Sequence, residues 1–384
     1  MESYLIKGGN KLLGEVNISG SKNATLPIMA ASILNEGTTI LRNVPDIYDV
    51  QIMENILEYL GCKIIKTNDK IIINSNNIDK YNIPEVLMRQ MRSSVMLVGA
   101  IISRMKKCVF SYPGGCEIGA RPIDIHLNAF KKLNISVRED SGNIYCDTDK
   151  IYNGTINLDF PSVGATENLI LASVFCIGET IIKNAAREPE IIDLQNMLNS
   201  MGAKVTGAGT NIIKIEGVKD LHDTEYKIMP DRIEAGTLLC SAAITKGKIK
   251  LKKVIPEHVA PVLHKLEECG SKIAITKDVI VLDAPKRLKG IDIRTMPYPG
   301  FPTDMQPIFA SCLTIAKGTS VIIENIFENR YKYTNELIRM GAQIMLEGRS
   351  AIIKGTEKLY GANEFPSLRK SASQATIVQS ISSP

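Results

Sequence analysis

The 384-residue sequence contains no tryptophan, and aromatic residues make up only 5% of it. It has no lysine- or arginine-rich block and no basic-aromatic interleaving, so nothing in it points to nucleic-acid binding. No apolar run reaches the roughly 20 residues that cross a bilayer. The N-terminus MESYLIKGGN lacks a secretory pattern, and a cytoplasmic protein with no membrane partner is expected. Eight cysteines are scattered without CxxC spacing, which reads as reduced thiols rather than a disulfide framework. The four histidines, His126, His222, His258 and His264, show no metal-ligand pairing, so no structural metal is expected.

What is present is a large apolar fraction, 44%, enough to build two or three domains at this length. The net charge of +5 is mild and suits anionic small substrates. The pattern beneath these totals is an internal repeat. Ser21 opens SKNATLPIMAASIL, Arg92 opens RSSVMLVGAII and Ser162 opens SVGATENLILASVF. Asp231 opens DRIEAGTLLCSAAI, Thr303 opens TDMQPIFASCLTI and Arg369 opens RKSASQATIVQS. These markers are spaced by 71, 70, 69, 72 and 66 residues. A fixed period of this kind sets the architecture.

Each repeat runs through one order of elements. A short strand such as VNIS, INLDF or YKIM precedes the marker, and a mostly apolar helix follows it. A β-branched strand, an amphipathic helix and a strand pair complete a βαβαββ unit. The amphipathic helix ends at Gly61, Gly202, Gly270 or Gly341, as a C′ glycine would end it. A helix apolar all round belongs inside, and an amphipathic one covers it, with sheets outermost. Six repeats make two lobes of three in an α/β protein. Only fifteen residues follow Arg369, so the sixth repeat reads as incomplete. Ligands commonly bind where domains meet, and marker helices offer N-terminal amides to anions.

The stretch YPGGCEIGARPID, Tyr112 to Asp124, stands apart from the repeat. It sets Cys116 in a glycine-rich turn beside Arg121, and a guanidinium makes a neighbouring thiol more acidic. Arg121 precedes Pro122 and so is disfavoured inside a helix.

PGGCEIGARPID, with GSKNATLP, MRSS, PSVGATEN, DRIEAGT, PGFPTDMQ and FENR, resembles the enolpyruvyl transferases. Within them it is similar to the UDP-N-acetylglucosamine 1-carboxyvinyltransferases, over residues 1 to about 373. The sister shikimate branch lacks the PGGC cysteine. The resemblance implies a two-lobed inside-out α/β barrel, with one lobe over 22–229 and the other over 1–21 and 230–384. It implies transfer of enolpyruvyl from phosphoenolpyruvate to the 3-hydroxyl of UDP-N-acetylglucosamine, with release of phosphate, at the start of peptidoglycan synthesis. No metal or organic cofactor is implied.

The residue roles that follow belong to the same resemblance. Cys116 matches the general acid and is open to an epoxide antibiotic such as fosfomycin. Lys22, Asn23, Arg121, Arg330 and Arg369 match donor-site groups, and Arg92 a substrate-site arginine. Pro122, Ile123, Asp124, Ile125 and Ile326 match nucleotide contacts. Ser162, Val163 and Gly164 match a diphosphate seat at a helix start. Asp304 matches the group at the sugar hydroxyl, as base or orienter. The lobes are expected to close on nucleotide. One arginine of the pattern falls beyond Pro384. A UDP-sugar-binding form with little turnover is therefore the alternative to an active enzyme.

Overall fold

The computed structural model describes residues 8–114 and 123–362. They form two compact units, one over residues 19–229 and one over 8–18 with 230–362. The chain passes from one to the other after Ile18 and after Met229. The 19–229 unit holds helices α1 (Lys22–Ala31), α2 (Tyr48–Leu60), α3 (Glu85–Met88), α4 (Leu97–Met105), α5 (Asp124–Lys132), α6 (Val163–Ser173) and α7 (Pro189–Ser200). The other unit holds α8 (Arg232–Ile244), α9 (Pro256–Glu268), α10 (Gln306–Leu313) and α11 (Thr334–Arg339).

All five described markers start helices, by two devices. Ser21 and Ser162 are N-caps whose hydroxyl oxygens accept from Ala24 N and Ala165 N, each at 3.3 Å. Asp231 Oδ1 accepts from Ile233 N at 2.7 Å and Glu234 N at 3.0 Å. Side chains of this kind occupy the amides that a helix start leaves over. Arg92 and Thr303 instead open 3-10 turns, Arg92–Met96 and Thr303–Met305, which run on into α4 and α10. The sixth marker, Arg369, lies outside the described residues.

The marker helices are interior, as their composition requires. Every residue is buried from Ala24 to Ala31, from Ala165 to Ser173 and from Gln306 to Leu313. Within the units, α4 packs on α6 and α1, and α8 packs on α10. The second helices bury one stripe only: α9 buries Val259, Val262, Leu263 and Leu266. Each Leu, Ile or Val so buried contributes about 1.5–3 kcal/mol. After these helices the chain turns through left-handed Gly61, Gly202, Gly270 and Gly341, with φ of 111°, 100°, 99° and 92°. After α5 the left-handed residue is Asn134, at φ 63°, the other type that tolerates this region. His258 and His264 share α9, but only His264 is exposed, and His258 is half-buried.

There are four four-stranded sheets and one of three strands among the described residues. In the third repeat, Thr155–Asn157 lies parallel to Glu179–Lys183, which pairs antiparallel with Ile212–Glu216. The fifth repeats this plan with Ile293–Arg294 and Thr319–Ile323. The first and fourth repeats do not each keep their own leading strand. Leu13–Asn17, which precedes the first marker, pairs with Lys248–Lys252 of the fourth repeat. Thr224–Lys227, which precedes the fourth marker, pairs with Thr38–Arg42 of the first. The alternation of a strand fixes which face is buried but not which neighbour it takes, so the repeat reading could not register this exchange. In the second repeat the leading strand shrinks to the single bridge Asn82–Val109, which leaves three strands.

One corner recurs where the leading strand enters its marker. Ile18, Leu158, Ile228 and Thr295 each donate their backbone N–H to the last residue of the paired strand. The acceptors are Lys252 (2.9 Å), Lys183 (3.1 Å), Arg42 (3.0 Å) and Ile323 (3.0 Å).

Candidate active site

In the 19–229 unit, the fold gathers several of the residues singled out by the sequence around helix starts. Lys22 is the first residue of α1, half-exposed, with Nζ 3.5 Å from Asp49 Oδ2. Asn23 follows it and is half-buried. Ser162 caps α6, and Val163 and Gly164 form its first turn, where amides have no partner within the helix. A Cβ at Gly164 would stand 3.0 Å from Met96 Cε and 3.2 Å from His126 Cε1, so this helix start is tightly backed. At the start of α5, Asp124 is exposed and Ile125 half-buried. Ile123 is fully buried, so its side chain packs in the core.

His126 was not singled out by the sequence, because a lone histidine carries no spacing signal. It is buried on α5. Its Nδ1 lies 3.0 Å from Asn168 Nδ2, and the other bonds of Asn168 fix its amide orientation. The Asn168 oxygen accepts from Gly99 N at 2.8 Å, and its NH2 group donates to Val95 O at 3.0 Å. Asn168 therefore donates to Nδ1, and the proton of the neutral ring sits on Nε2. Burial first, and the Arg92 guanidinium second, push the His126 pKa down to about 3. The ring is neutral at physiological pH.

Acidic side chains also gather on α6 and at the start of α7. Glu167 on α6 is fully buried, and burial, then Glu190 and Glu188, push its pKa well above the ordinary carboxyl value. Asp193 on α7 is raised to about 6, chiefly by burial. It accepts from Tyr226 Oη at 2.6 Å and from Met229 N at 3.1 Å, which ties α7 to the end of this unit.

In the other unit, Asp304 sits in the 3-10 turn ahead of α10, with its side chain 43% exposed. It does not cap the helix. Its Oδ1 accepts from Arg330 Nη2 at 2.9 Å. Arg330 is 8% exposed, and its Nε has no hydrogen-bond partner among the described residues. The Phe327 ring lies 5.9 Å from the guanidinium, so this half-buried phenylalanine walls the arginine. Ile326 is half-buried beside it. On α8, the guanidinium of buried Arg232 stacks 5.7 Å from the Tyr298 ring in the loop that leads to Asp304.

Cys116, Arg121, Pro122 and Arg369 lie outside the described residues. The approach to Cys116 is described as far as Gly114. Gly114 donates its N–H to Met88 O at 3.1 Å, and a Cβ there would collide with the Arg89 carbonyl. That close approach requires glycine. Among the described residues, no group of three His, Cys, Asp or Glu is arranged to hold a metal, and no helix is long and apolar enough to cross a membrane.

Comparison with known proteins gives the family and the fold. Residues 6–374 match the EPSP synthase (3-phosphoshikimate 1-carboxyvinyltransferase) family. The chain is 53% identical over 363 residues to UDP-N-acetylglucosamine 1-carboxyvinyltransferase 2 of Caldanaerobacter subterraneus subsp. tengcongensis, covering 94% of this chain and 87% of that one. It is 49% identical over 363 residues to UDP-N-acetylglucosamine 1-carboxyvinyltransferase 1 of Carboxydothermus hydrogenoformans, covering 94% and 86%. In fold it is similar to the crystal structure of the enolpyruvyl transferase NikO from Streptomyces tendae. That match has a TM-score of 0.81 at 21% identity, over 91% of this chain and 83% of that one.

Proposed function

The chain belongs to the UDP-N-acetylglucosamine 1-carboxyvinyltransferases, within the EPSP synthase family, and on that premise we propose how its residues carry enolpyruvyl from phosphoenolpyruvate to the 3-hydroxyl of UDP-N-acetylglucosamine. Within the molecule, the observation that carries the proposal is the Asp304–Arg330 pair. A half-exposed carboxylate is held in one orientation by a buried arginine that keeps an unused donor. Such a pair has both a group to take a proton and a cation for an anionic donor.

In this reading Asp304 takes the proton of the 3-hydroxyl, and that oxygen bonds to C2 of phosphoenolpyruvate. The C2–C3 π pair takes a proton at C3 from Cys116. A thiol, with a reference pKa of about 8.5, can offer a neutral proton donor at neutral pH. The adduct is tetrahedral at C2. Cleavage of the bond between C2 and the phosphate oxygen then releases phosphate, and C3 returns a proton to the Cys116 thiolate as the double bond is restored. Lys22, Arg121, Arg330 and Arg369 neutralise the donor phosphate and carboxylate, with Asn23 as a neutral donor, and Arg92 serves the substrate site. The first turn of α6, at Ser162, Val163 and Gly164, receives the diphosphate through its amides. Asp124, Ile125 and Ile326, with Pro122 and the backbone of Ile123, hold the nucleoside. The product is a sugar nucleotide for peptidoglycan.

Phosphate release by the purified chain tests the reading. Release is expected only when phosphoenolpyruvate and UDP-N-acetylglucosamine are both present. Release no faster than in the absence of the sugar nucleotide would overturn it.

A further inference from the structure

We propose that Glu324 is a positioning residue for Asp304 and for the Ile326–Arg330 segment; the proposal rests on the transfer reading above. Glu324 is the first residue after strand Thr319–Ile323 and is completely buried. Its Oε1 accepts from Thr295 Oγ1 at 2.9 Å, Ile326 N at 2.9 Å and Phe327 N at 3.2 Å. Its Oε2 accepts from Thr303 Oγ1 at 3.0 Å. Thr295 Oγ1 itself accepts from Asn325 N at 2.9 Å, which leaves its proton for the carboxylate. One side chain thus joins three segments: the end of the leading strand, the turn that carries Asp304, and the loop that runs to Arg330.

The repeat supplies an independent argument. The equivalent position is Asn43 in the first repeat and Asn184 in the third. Both are left-handed, at φ 59° and 55°. Each donates through Nδ2 to the first carbonyl after the leading strand: Asn43 to Ile228 O at 2.9 Å, Asn184 to Leu158 O at 2.8 Å. A single amide is therefore enough to close this corner of the fold. In the fifth repeat the position is not left-handed and the polarity is reversed, because Glu324 accepts from Thr295. The three further donors belong to Ile326, assigned to substrate, and to Thr303 and Phe327, which adjoin Asp304 and Ile326. That surplus over what the fold needs assigns Glu324 to the site.

The test compares Glu324→Gln, Glu324→Asp and Glu324→Ala in the full chain. Glutamine keeps one oxygen for Thr295 and both amides, and its NH2 group meets a Thr303 hydroxyl that can accept. Aspartate keeps the charge but is a methylene too short. Positioning is expected to leave kcat/KM of Glu324→Gln within about fivefold of the parent. Glu324→Asp and Glu324→Ala are expected to lose on the order of a hundredfold, mostly in kcat, as misplacement by about 1 Å does. Hydrogen exchange is the second readout: the Ile326 and Phe327 amides stay protected in the parent and in Glu324→Gln, and lose protection in Glu324→Ala. Three results would each overturn the proposal: Glu324→Asp outperforming Glu324→Gln, Glu324→Ala keeping its rate, or unchanged amide protection in Glu324→Ala. If Glu324→Ala does not fold, the Asp and Gln variants decide by both readouts. A parent that releases no phosphate would overturn the transfer reading alone, and the exchange result would still judge Glu324.

Discussion

The third and fifth repeats share one backbone plan and use it differently. Both run a parallel leading strand into a buried marker helix and close the corner with the first residue after the second strand. In the third repeat that residue is Asn184, with one hydrogen bond to the Leu158 carbonyl. In the fifth it is Glu324, with four donors. The third repeat presents a capped helix start backed by neutral His126, and the fifth presents the charged pair Asp304–Arg330. Where copies of one unit diverge in buried polar chemistry rather than in apolar packing, the divergence marks function.

The largest effect expected from breaking that difference is at the residues assigned to proton transfer. Asp304→Ala should lower kcat by about a thousandfold, since positioned acids and bases contribute on the order of 100- to 10,000-fold. Val163→Ala, at the same marker position in the third repeat, should change kcat by less than about threefold, because it contributes an amide rather than a proton. Cys116→Ser should also lose transfer at neutral pH, while Cys116→Asp retains part of it, as a carboxylic acid can still donate. Steady-state phosphate release measures all four. Equal losses in Asp304→Ala and Val163→Ala would erase the distinction between the repeats.

Acid should expose the buried titratable groups around the third repeat. Unfolded His126 takes up a proton near pH 6.5 and folded His126 only near 3, so its contribution falls as pH drops through that window. The slope is about 1.4 kcal/mol per pH unit. Asp193 has the opposite sign: its folded pKa near 6 exceeds the ordinary value of 3.8, so its contribution grows as pH falls from 6 towards 4. The two should offset each other between about pH 6 and 4, and His126 should act alone below that. Asp193→Asn is therefore expected to steepen acid destabilisation between pH 6 and 4, and His126→Gln to flatten it. Urea unfolding at half-unit pH steps checks both signs.

Much of this was legible in the sequence for a definite reason. Marker helices advertise themselves because a helix buried on every side must be apolar on every side, as from Ala24 to Ala31. The C′ glycines advertise themselves because few other residues accept their φ. The exchange of leading strands between the first and fourth repeats left no trace, since Val16-Asn17-Ile18 and Tyr226-Lys227-Ile228 alternate alike whichever strand they meet. Glu324 was invisible because its partners Thr295 and Thr303 are 29 and 21 residues away. His126 was missed because its significance lies in Asn168 and Gly164, which belong to another helix.

Smaller effects sharpen the comparison from the structural side. Asn184→Ala removes one hydrogen bond and places alanine at φ 55°. It should cost about 1–2 kcal/mol by denaturant titration, with kcat unchanged. Asp49→Asn breaks an ion pair whose side chains are 43% and 35% exposed. It should alter stability by less than about 1 kcal/mol.

The central claim is tested most directly by the mass of the nucleotide recovered after turnover. UDP-N-acetylglucosamine is expected to gain one enolpyruvyl group for each phosphate released, and to gain none when phosphoenolpyruvate is omitted. Phosphate release that leaves the nucleotide unaltered, or a nucleotide that stays unaltered with both substrates present, would contradict it.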